Sequence, residues 1–176
     1  GRARELIALR DRLLHAVRQS CVPGLGAMKT RVHGNLHLKK VLLAADDFLI
    51  TDFDGDMNRP PAERRTKTSA LHDVATMLRS FDYARGTALE RAVTARPDLY
   101  ERAAPACVDW QRGVSDAFLR GYRLGIEGAS PLRGDVAERH LKLLQIERAL
   151  HELNHELTHR PGWLPIPLDG LRAMMG

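Results

Sequence analysis

The residues best suited to chemistry flank a predicted hairpin in the first third of the chain. Two apolar runs, 41–44 and 48–51, are separated by an Asp-Asp pair at 46–47. Short apolar runs with turn-forming residues between them predict two antiparallel strands. The hairpin would bring the segment before it, 33–40, beside the segment after it, 52–55. Two loops held together by a small sheet commonly form a phosphate or metal site.

These two segments, the first loop and the second loop, present different chemical groups. The first loop reads HGNLHLKK and contains His33, Asn35 and Lys40, whereas the second reads DFDG and begins with Asp52. The Asp52 carboxylate can hold a cation. The Asn35 carboxamide can orient a hydroxyl group but is not a useful base, and a charged Lys40 can donate hydrogen bonds but cannot ligate a metal. Lys40 therefore suits either a phosphate contact or a solvated position at the loop edge.

The two loops resemble the catalytic core of kinases with the aminoglycoside-phosphotransferase-like fold, which pair a His-Gly-Asp loop with an Asp-Phe-x-Gly loop. Similarity to maltokinase extends over nearly the whole chain, through the segments RVHGNLHL, DFDGD, AERR, DVATMLRSFDYA, AFLRGYR and HRPGWLPIPLDGL. The resemblance implies a mainly α fold with a small β-hairpin, equivalent to the C-terminal lobe of a protein-kinase-like fold. The nucleotide-binding N-terminal lobe is expected to lie outside this sequence, so the chain alone is expected to be inactive.

The activity that this resemblance implies is ATP-dependent phosphorylation of maltose to maltose 1-phosphate, in trehalose and α-glucan metabolism. Mg²⁺ and ATP are the implied cofactor and co-substrate, and a trehalose synthase is the implied fused or associated partner. Asn35 stands where the family has its catalytic Asp, and Lys40 stands where it has a metal-binding Gln. The metal-binding aspartate is retained as Asp52. His33 is implied to brace the two loops rather than to take part in catalysis directly.

The resemblance also assigns roles to the helix that follows the loops. Asp73 would support the catalytic loop, although an acid in the first turn of a helix is also favoured by the helix dipole alone. Arg79, Asp82 and Tyr83 lie in RSFDYA, which is similar to part of the family's sugar pocket. Paired polar groups and an aromatic face are what a sugar requires. The alternative for these three residues is an exposed helix end.

A catalytically degenerate module is the competing interpretation of the same loops. Asn35 and Lys40 both replace residues that the kinase reaction uses, and they favour a lobe that binds a sugar or a partner without catalysis. Asp52 and the intact DVATMLRSFDYA segment favour the enzyme. The sequence alone leaves both interpretations open.

A second motif, far along the chain, predicts different chemistry. The segment beginning at His151 reads His-Glu-x-x-His, so His151 and His155 share a helix face and could bind zinc, with Glu152 as general base. His159 extends this row. Pro161 ends the helix at once, and the third-ligand patterns of such enzymes do not follow. A zinc hydrolase is therefore the minor interpretation.

The remainder of the chain is predicted to be helical. The 176 residues are interpreted as one domain, 1–176, with a hairpin region at 31–55 and a helical bundle at 69–176. The expected helices cover 2–20, 70–83, 86–128 with breaks near Pro97 and Pro105, 135–159 and 168–175. Ser69 is the expected N-cap of the second helix.

Composition limits the class of protein. Hydrophobic residues make up 44% of the chain, the formal net charge is +5, and no apolar run approaches the roughly 20 residues that span a bilayer. The arginines are spread along the sequence rather than clustered with aromatic residues, so neither nucleic acid nor a membrane is an expected partner. Cys21 and Cys107 do not form a disulfide framework, which is consistent with a reduced cytosol.

Overall fold

The computed structural model describes residues 2–22, 29–127 and 134–175, so parts of the predicted domain and bundle lie outside the described residues. The described elements, in chain order, are α1 (Arg2–Ser20), β1 (Lys29–Thr30), β2 (Val41–Ala44), β3 (Asp47–Ile50), α2 (Pro61–Arg64), β4 (Thr68–Ser69), α3 (Leu71–Ala95), α4 (Tyr100–Gly125), α5 (Gly134–His159) and α6 (Pro165–Met175). Short 3-10 helices cover Leu38–Lys40, Pro97–Leu99 and Pro161–Trp163. The mainly α class with a small hairpin is confirmed.

The predicted hairpin is formed by β2 and β3. Val41 pairs with Ile50 and Ala44 with Asp47, so the turn consists of Ala45 and Asp46 rather than the predicted Asp-Asp pair at 46–47. Asp47 remains in the strand, where its carboxylate accepts a hydrogen bond from the amide of the next residue at 2.7 Å. A second antiparallel pair, β1 with β4, was not predicted.

Helix α3 lies at the centre of the fold and contacts α4, α5 and α6. Its buried apolar stripe consists of Leu71, Val74, Met77, Leu78 and Phe81. The helix begins at Leu71, whose amide donates to the Ser69 hydroxyl at 3.3 Å, although Ala70 occupies the N-cap position itself. It continues to Ala95 instead of ending at 83, because no proline interrupts the chain before Pro97.

Helix α4 runs through Pro105, where a break was predicted. A proline inside a helix removes one backbone hydrogen bond. Pro105 is exposed, so water can satisfy the carbonyl group that loses its partner. Tertiary contact with α3 outweighs this local cost.

Helix α6 closes the bundle. Leu171 forms a buried cluster with Ala16 of α1 and with Ile146 and Ala149 of α5. A neighbouring cluster, formed by Leu153, Leu164 and Leu168, joins α6 to the end of α5. Among the helices of the described ranges, none combines the length and apolar character that crossing a membrane requires.

Candidate functional site

His33 links the two loops beside the hairpin. It is 6% exposed, and its Nε2 lies 2.8 Å from the carbonyl oxygen of Thr51, just before the second loop. The Asn35 amide donates to His33 Nδ1 at 3.3 Å, so the ring carries its proton on Nε2 and donates to Thr51. The ring also lies 4.9 Å from that of Phe53. These contacts fix Asn35 relative to the second loop.

Asp73, in the first turn of α3, holds the start of the first loop through backbone hydrogen bonds. Its carboxylate accepts the amide of His33 at 2.7 Å and the amide of Gly34 at 2.9 Å. Gly34 has a φ of +80°, and a Cβ placed on it would lie 3.4 Å from the Cα of Gly55 in the second loop. The backbones of the two loops therefore touch at their glycines, a contact that favours residues without side chains.

Lys40 and Asp52 form an ion pair across the base of the hairpin. Lys40 Nζ donates to Asp52 Oδ2 at 2.6 Å. The backbone places these two side chains close together. The Thr51 amide donates to the Lys40 carbonyl at 2.9 Å, which continues the hairpin pairing one position beyond Val41 and Ile50. The hydrogen bond from Lys40 holds the pKa of Asp52 below its usual range.

A cleft of about 980 Å³ opens beside the first loop, within the size range of small-molecule sites. Its walls come from the first loop, the segment after the second loop, helices α3 and α5, and the short helix at Pro161–Trp163, and they include Asn35, His37, Asp56, Tyr83, Glu152, Glu156 and Trp163. Asn35 thus lies at the edge where the cleft meets the paired loops.

Arg79 forms a buried ion cluster behind the wall of this cleft. The residue is 1% exposed, and its Nε and Nη2 donate to Glu152 Oε2 at 2.9 and 2.8 Å. Its Nη1 donates to Asp82 Oδ2. Burial raises the pKa of both carboxyl groups, and the Arg79 charge opposes that rise. Arg79 therefore holds two helices together, α3 and α5.

Glu156 is the most deeply buried acid of the cleft. It is 1% exposed, and its Oε1 accepts the Tyr83 hydroxyl at 3.0 Å and Arg160 Nη2 at 2.6 Å. Its Oε2 receives no hydrogen bond from any described residue. Burial, with the nearby charges of Glu152 and Glu156, raises the pKa of the Tyr83 hydroxyl, which keeps it a neutral donor. The Tyr83 ring stacks near that of Trp163, with the centroids 6.1 Å apart.

The predicted site residues separate into three groups in the structure. Asn35 and Tyr83 line the cleft, whereas Arg79 and Asp82 form the support behind it and do not line it. The sugar contact of Arg79 stays a prediction; in this structure its guanidinium donates to Glu152 and Asp82. His33, Lys40 and Asp52 belong to the paired loops next to the cleft, and Asp73 of α3 bonds to the first loop; none of the four lines the cleft.

The His-Glu-x-x-His segment is arranged differently from a zinc site. Glu152, the expected general base, is held by Arg79, while His155 stacks on His159 with ring centroids 4.5 Å apart. His151 lies 3.9 Å from Glu147 and lines the cleft. Within the described ranges, no three His, Cys, Asp or Glu residues are grouped as metal ligands would be.

Sequence reasoning missed Glu156 and considered Glu152 only as the general base of the minor zinc interpretation. A signal was present, because Arg148, Glu152 and Glu156 recur every four residues and so share one face of α5, and Arg160 follows at the same spacing just after the helix ends. That face runs beside the buried residues Ile146, Ala149 and Leu153. Arg148 pairs with Glu152 and Arg160 with Glu156 along this row, and the two glutamates also accept hydrogen bonds from Arg79 and Tyr83 of α3.

Comparison with known proteins relates the chain to sugar kinases. No protein-family model matches it. It is 28% identical over 144 residues to a glucosamine kinase of Mycolicibacterium smegmatis, covering 81% of this chain and 34% of that protein. It is 29% identical over 139 residues to a glucosamine kinase of Streptacidiphilus jiangxiensis, covering 77% and 29%. The chain thus spans about a third of the length of the curated relatives that it matches.

Solved structures show the same relationship at the level of the fold. The chain superposes on a glucosamine kinase in complex with glucosamine, ADP and inorganic phosphate with a TM-score of 0.67 and 23% identity, over 99% of this chain and 44% of that one. A second crystal form gives a TM-score of 0.66 at 22% identity, over 99% and 46%. The described fold is therefore that of a corresponding part of these kinases.

These comparisons correct the sequence-based family assignment. The prediction of maltokinase is wrong, because the matching proteins are glucosamine kinases in both sequence and structure. The aminoglycoside-phosphotransferase-like label came with that assignment and is set aside with it. Maltose as substrate and a trehalose synthase as partner depended on the same resemblance, and neither is carried forward. The coarser prediction of similarity to sugar kinases is confirmed.

Proposed function

We propose that the chain is the sugar-binding lobe of an ATP-dependent sugar kinase whose acceptor is an amino sugar of the glucosamine type. Two curated relatives and the superposed structures are glucosamine kinases. One of these structures holds glucosamine, ADP and inorganic phosphate, which supports ATP as the phosphoryl donor here. The cleft beside the first loop is the proposed sugar site, and Asn35 marks the end at which phosphate transfer would occur.

The free oxygen of Glu156 is the observation that favours an amino sugar over a neutral one. A buried carboxylate oxygen without a donor is costly in a folded protein. The protonated amine of glucosamine would supply a charge-assisted donor, which is roughly twice as strong as a neutral one. Tyr83 and Arg160 hold the other oxygen of this carboxylate, so Glu156 is oriented before the sugar arrives.

The proposed chemistry at the loop end depends on orientation rather than on base catalysis. Asn35 is held by the His33 ring and can align the acceptor hydroxyl group, but it cannot take the proton. Loss of a general base typically lowers the rate by about 10²–10⁴-fold. Asp52 was the predicted Mg²⁺ ligand, but Lys40 already occupies its Oδ2. The described residues therefore do not fit a metal ion at this carboxylate, and no step is assigned to one.

A non-catalytic amino-sugar-binding module is the second candidate. The Lys40–Asp52 ion pair favours it, since the one predicted metal carboxylate is neutralised by a side chain. Asn35 favours it for the reason given above. Both candidates share the cleft and its preference for an amino sugar, and they differ in turnover.

Calorimetric titration of the 176-residue chain tests the shared part of the proposal. Glucosamine, at a pH at which its amine is protonated, should bind at least about tenfold more tightly than glucose, a difference worth about 1.4 kcal/mol. Glu156→Gln should remove this preference, while Glu147→Gln, an exposed acid on the same helix, should preserve it. Equal affinity for the two sugars in the parent chain would reject the amino-sugar assignment.

A turnover assay then separates the two candidates. The protein as it is encoded, supplied with ATP, magnesium and glucosamine, should release ADP in a sugar-dependent manner if it is a kinase. Binding of glucosamine without sugar-dependent ADP release would establish the binding module instead. Maltose serves as the control sugar, because the corrected assignment expects it to be inert.

A further inference from the structure

The Lys40 ammonium group occupies the place beside the Asp52 carboxylate where a metal cation would bind. Lys40 Nζ lies 2.6 Å from Asp52 Oδ2, and the Lys40 side chain is only 24% exposed. The backbone bond from Thr51 to Lys40 fixes the two residues on opposite sides of the hairpin end. The ammonium group is therefore held at the carboxylate by the fold and does not depend on a chance surface encounter.

The surroundings of this pair also carry positive charge. The pKa of the neighbouring His37 lies below its ordinary value, first because the ring is half-buried and then because of the charges of Lys40, Arg148 and Lys39. Positive charge from Lys40 thus acts on His37 as well as on Asp52. Any metal at Asp52 would have to displace the Lys40 ammonium group.

The nearby acids do not supply a replacement ligand set. Asp56 accepts hydrogen bonds from the amide and the side chain of Asn58, and Arg148 lies 3.9 Å from its carboxylate. The carbonyl group of Asp54 is held by Arg64 at 2.8 Å. Divalent metals of the Mg²⁺ type need several oxygen ligands in a near-octahedral arrangement. Within the described part of the chain, no group of three potential ligand side chains is present.

We propose that Lys40 serves as the permanent cation of the second loop and excludes a divalent metal ion from Asp52. The inference rests on the proposed function only in that it says which cation serves the phosphate end of that site. The ion pair would supply the positive charge there as an ammonium group, with two N–H donors beyond the one given to Asp52. This differs from a site in which Asp52 is a metal ligand awaiting its ion.

Titration with Mn²⁺ alone, followed by electron paramagnetic resonance of the free ion, tests this inference without sugar or nucleotide. Lys40→Met should bind Mn²⁺ at least about tenfold more tightly than the parent chain, because the competing charge is removed. Lys40→Gln should do so as well and adds an oxygen ligand. Lys39→Met removes a neighbouring charge but not the Asp52 contact, and its effect should be much smaller. Adding Asp52→Asn to Lys40→Met should abolish the gain.

A comparison of the parent chain with Asp52→Asn tests the same inference without relying on how the Lys40 variants fold. If Lys40 excludes the metal, the parent chain and Asp52→Asn should bind Mn²⁺ equally weakly. Tighter binding by the parent chain than by Asp52→Asn would overturn the proposal, as would unchanged binding in a folded Lys40→Met chain. Neither result would bear on glucosamine binding, so the test is separate from that of the proposed function.

Discussion

The guanidinium group of Arg79 packs against Gly170 so closely that a methyl group on this glycine would overlap Nη1. Arg79 lies on α3, Gly170 lies on α6, and the carboxylate of Glu152 reaches the same guanidinium from α5. Gly170 does not adopt a left-handed conformation, so the glycine is needed here for space alone. The ion cluster behind the cleft therefore depends on the closeness of a third helix.

Replacing Gly170 by alanine should destabilise the protein by about 1–3 kcal/mol, as is typical when a packed interior is overfilled. The guanidinium would have to shift away from Asp82 and Glu152, whose carboxylates would lose their bonds. Urea denaturation measures the cost. Gly113→Ala is the matched control, because nothing lies within 4 Å of the added methyl group. In the interior of α4 that change should stabilise by about 0.5–1 kcal/mol, and a neutral Gly170→Ala would show that α6 does not constrain Arg79.

Replacing Asp73 by asparagine should loosen the first loop. The carboxylate accepts two backbone amides, those of His33 and Gly34, and a carboxamide can satisfy only one of them with its single oxygen. We expect a loss of about 1–3 kcal/mol in the free energy of unfolding. Faster hydrogen exchange at these two amides is the specific readout. Asp98→Asn, at an exposed acid paired with Arg96, should cost much less, and comparable losses would argue against an anchoring role for Asp73.

Acid should destabilise the protein in part through His37. Its pKa is lowered from the ordinary 6.5, chiefly by burial and then by Lys40. The unfolded chain therefore takes up a proton at a higher pH than the folded chain does, so this contribution to stability is complete above 6.5 and is lost as the pH falls below it. His37→Gln should show a smaller drop in the urea midpoint across that range. An equal drop for His37→Gln and for the exposed control His15→Gln would contradict this origin.

The hairpin should tolerate polar substitution. Leu43 and Phe48 face each other across β2 and β3 but are 71% and 68% exposed. Replacing both by threonine should change the free energy of unfolding by less than about 1 kcal/mol, since a cross-strand pair contributes no more than this. Leu78→Ala, in the core stripe of α3, should cost about 2–5 kcal/mol. A large loss from the double hairpin variant would show that a further surface covers the hairpin in solution.

Local patterns in the sequence were sufficient for the helices whose ends carry their own signals. The predicted helices 2–20 and 135–159 agree with α1 (Arg2–Ser20) and with α5 (Gly134–His159), which Pro161 follows closely. The predicted break near Pro105 did not occur, because packing against α3 outweighs the loss of one hydrogen bond. The turn lies one residue before its predicted position, because the strand register is set by pairing across the hairpin and not by the turn residues alone.

The polar contacts of the cleft could not be predicted in the same way. Arg79 and Glu152 are 73 positions apart, and so are Tyr83 and Glu156. Charge spacing on α5 indicates which side chains share a face, but it does not say which helix that face meets. Resemblance gave a sugar kinase correctly and the family incorrectly, because the short loop motifs that carried it do not include these long-range contacts.

The cluster that joins Ala16 to Leu171 has a consequence for how the chain is made. During synthesis α1 emerges before the other described helices, and its buried partner on α6 emerges only after all of them. Contacts between residues so distant in sequence slow folding, because the entropy of closing a long loop is lost before the contacts can stabilise the chain. The apolar side of α1 therefore stays uncovered until α5 and α6 have emerged. Apolar surface exposed in this way is what chaperones bind during synthesis.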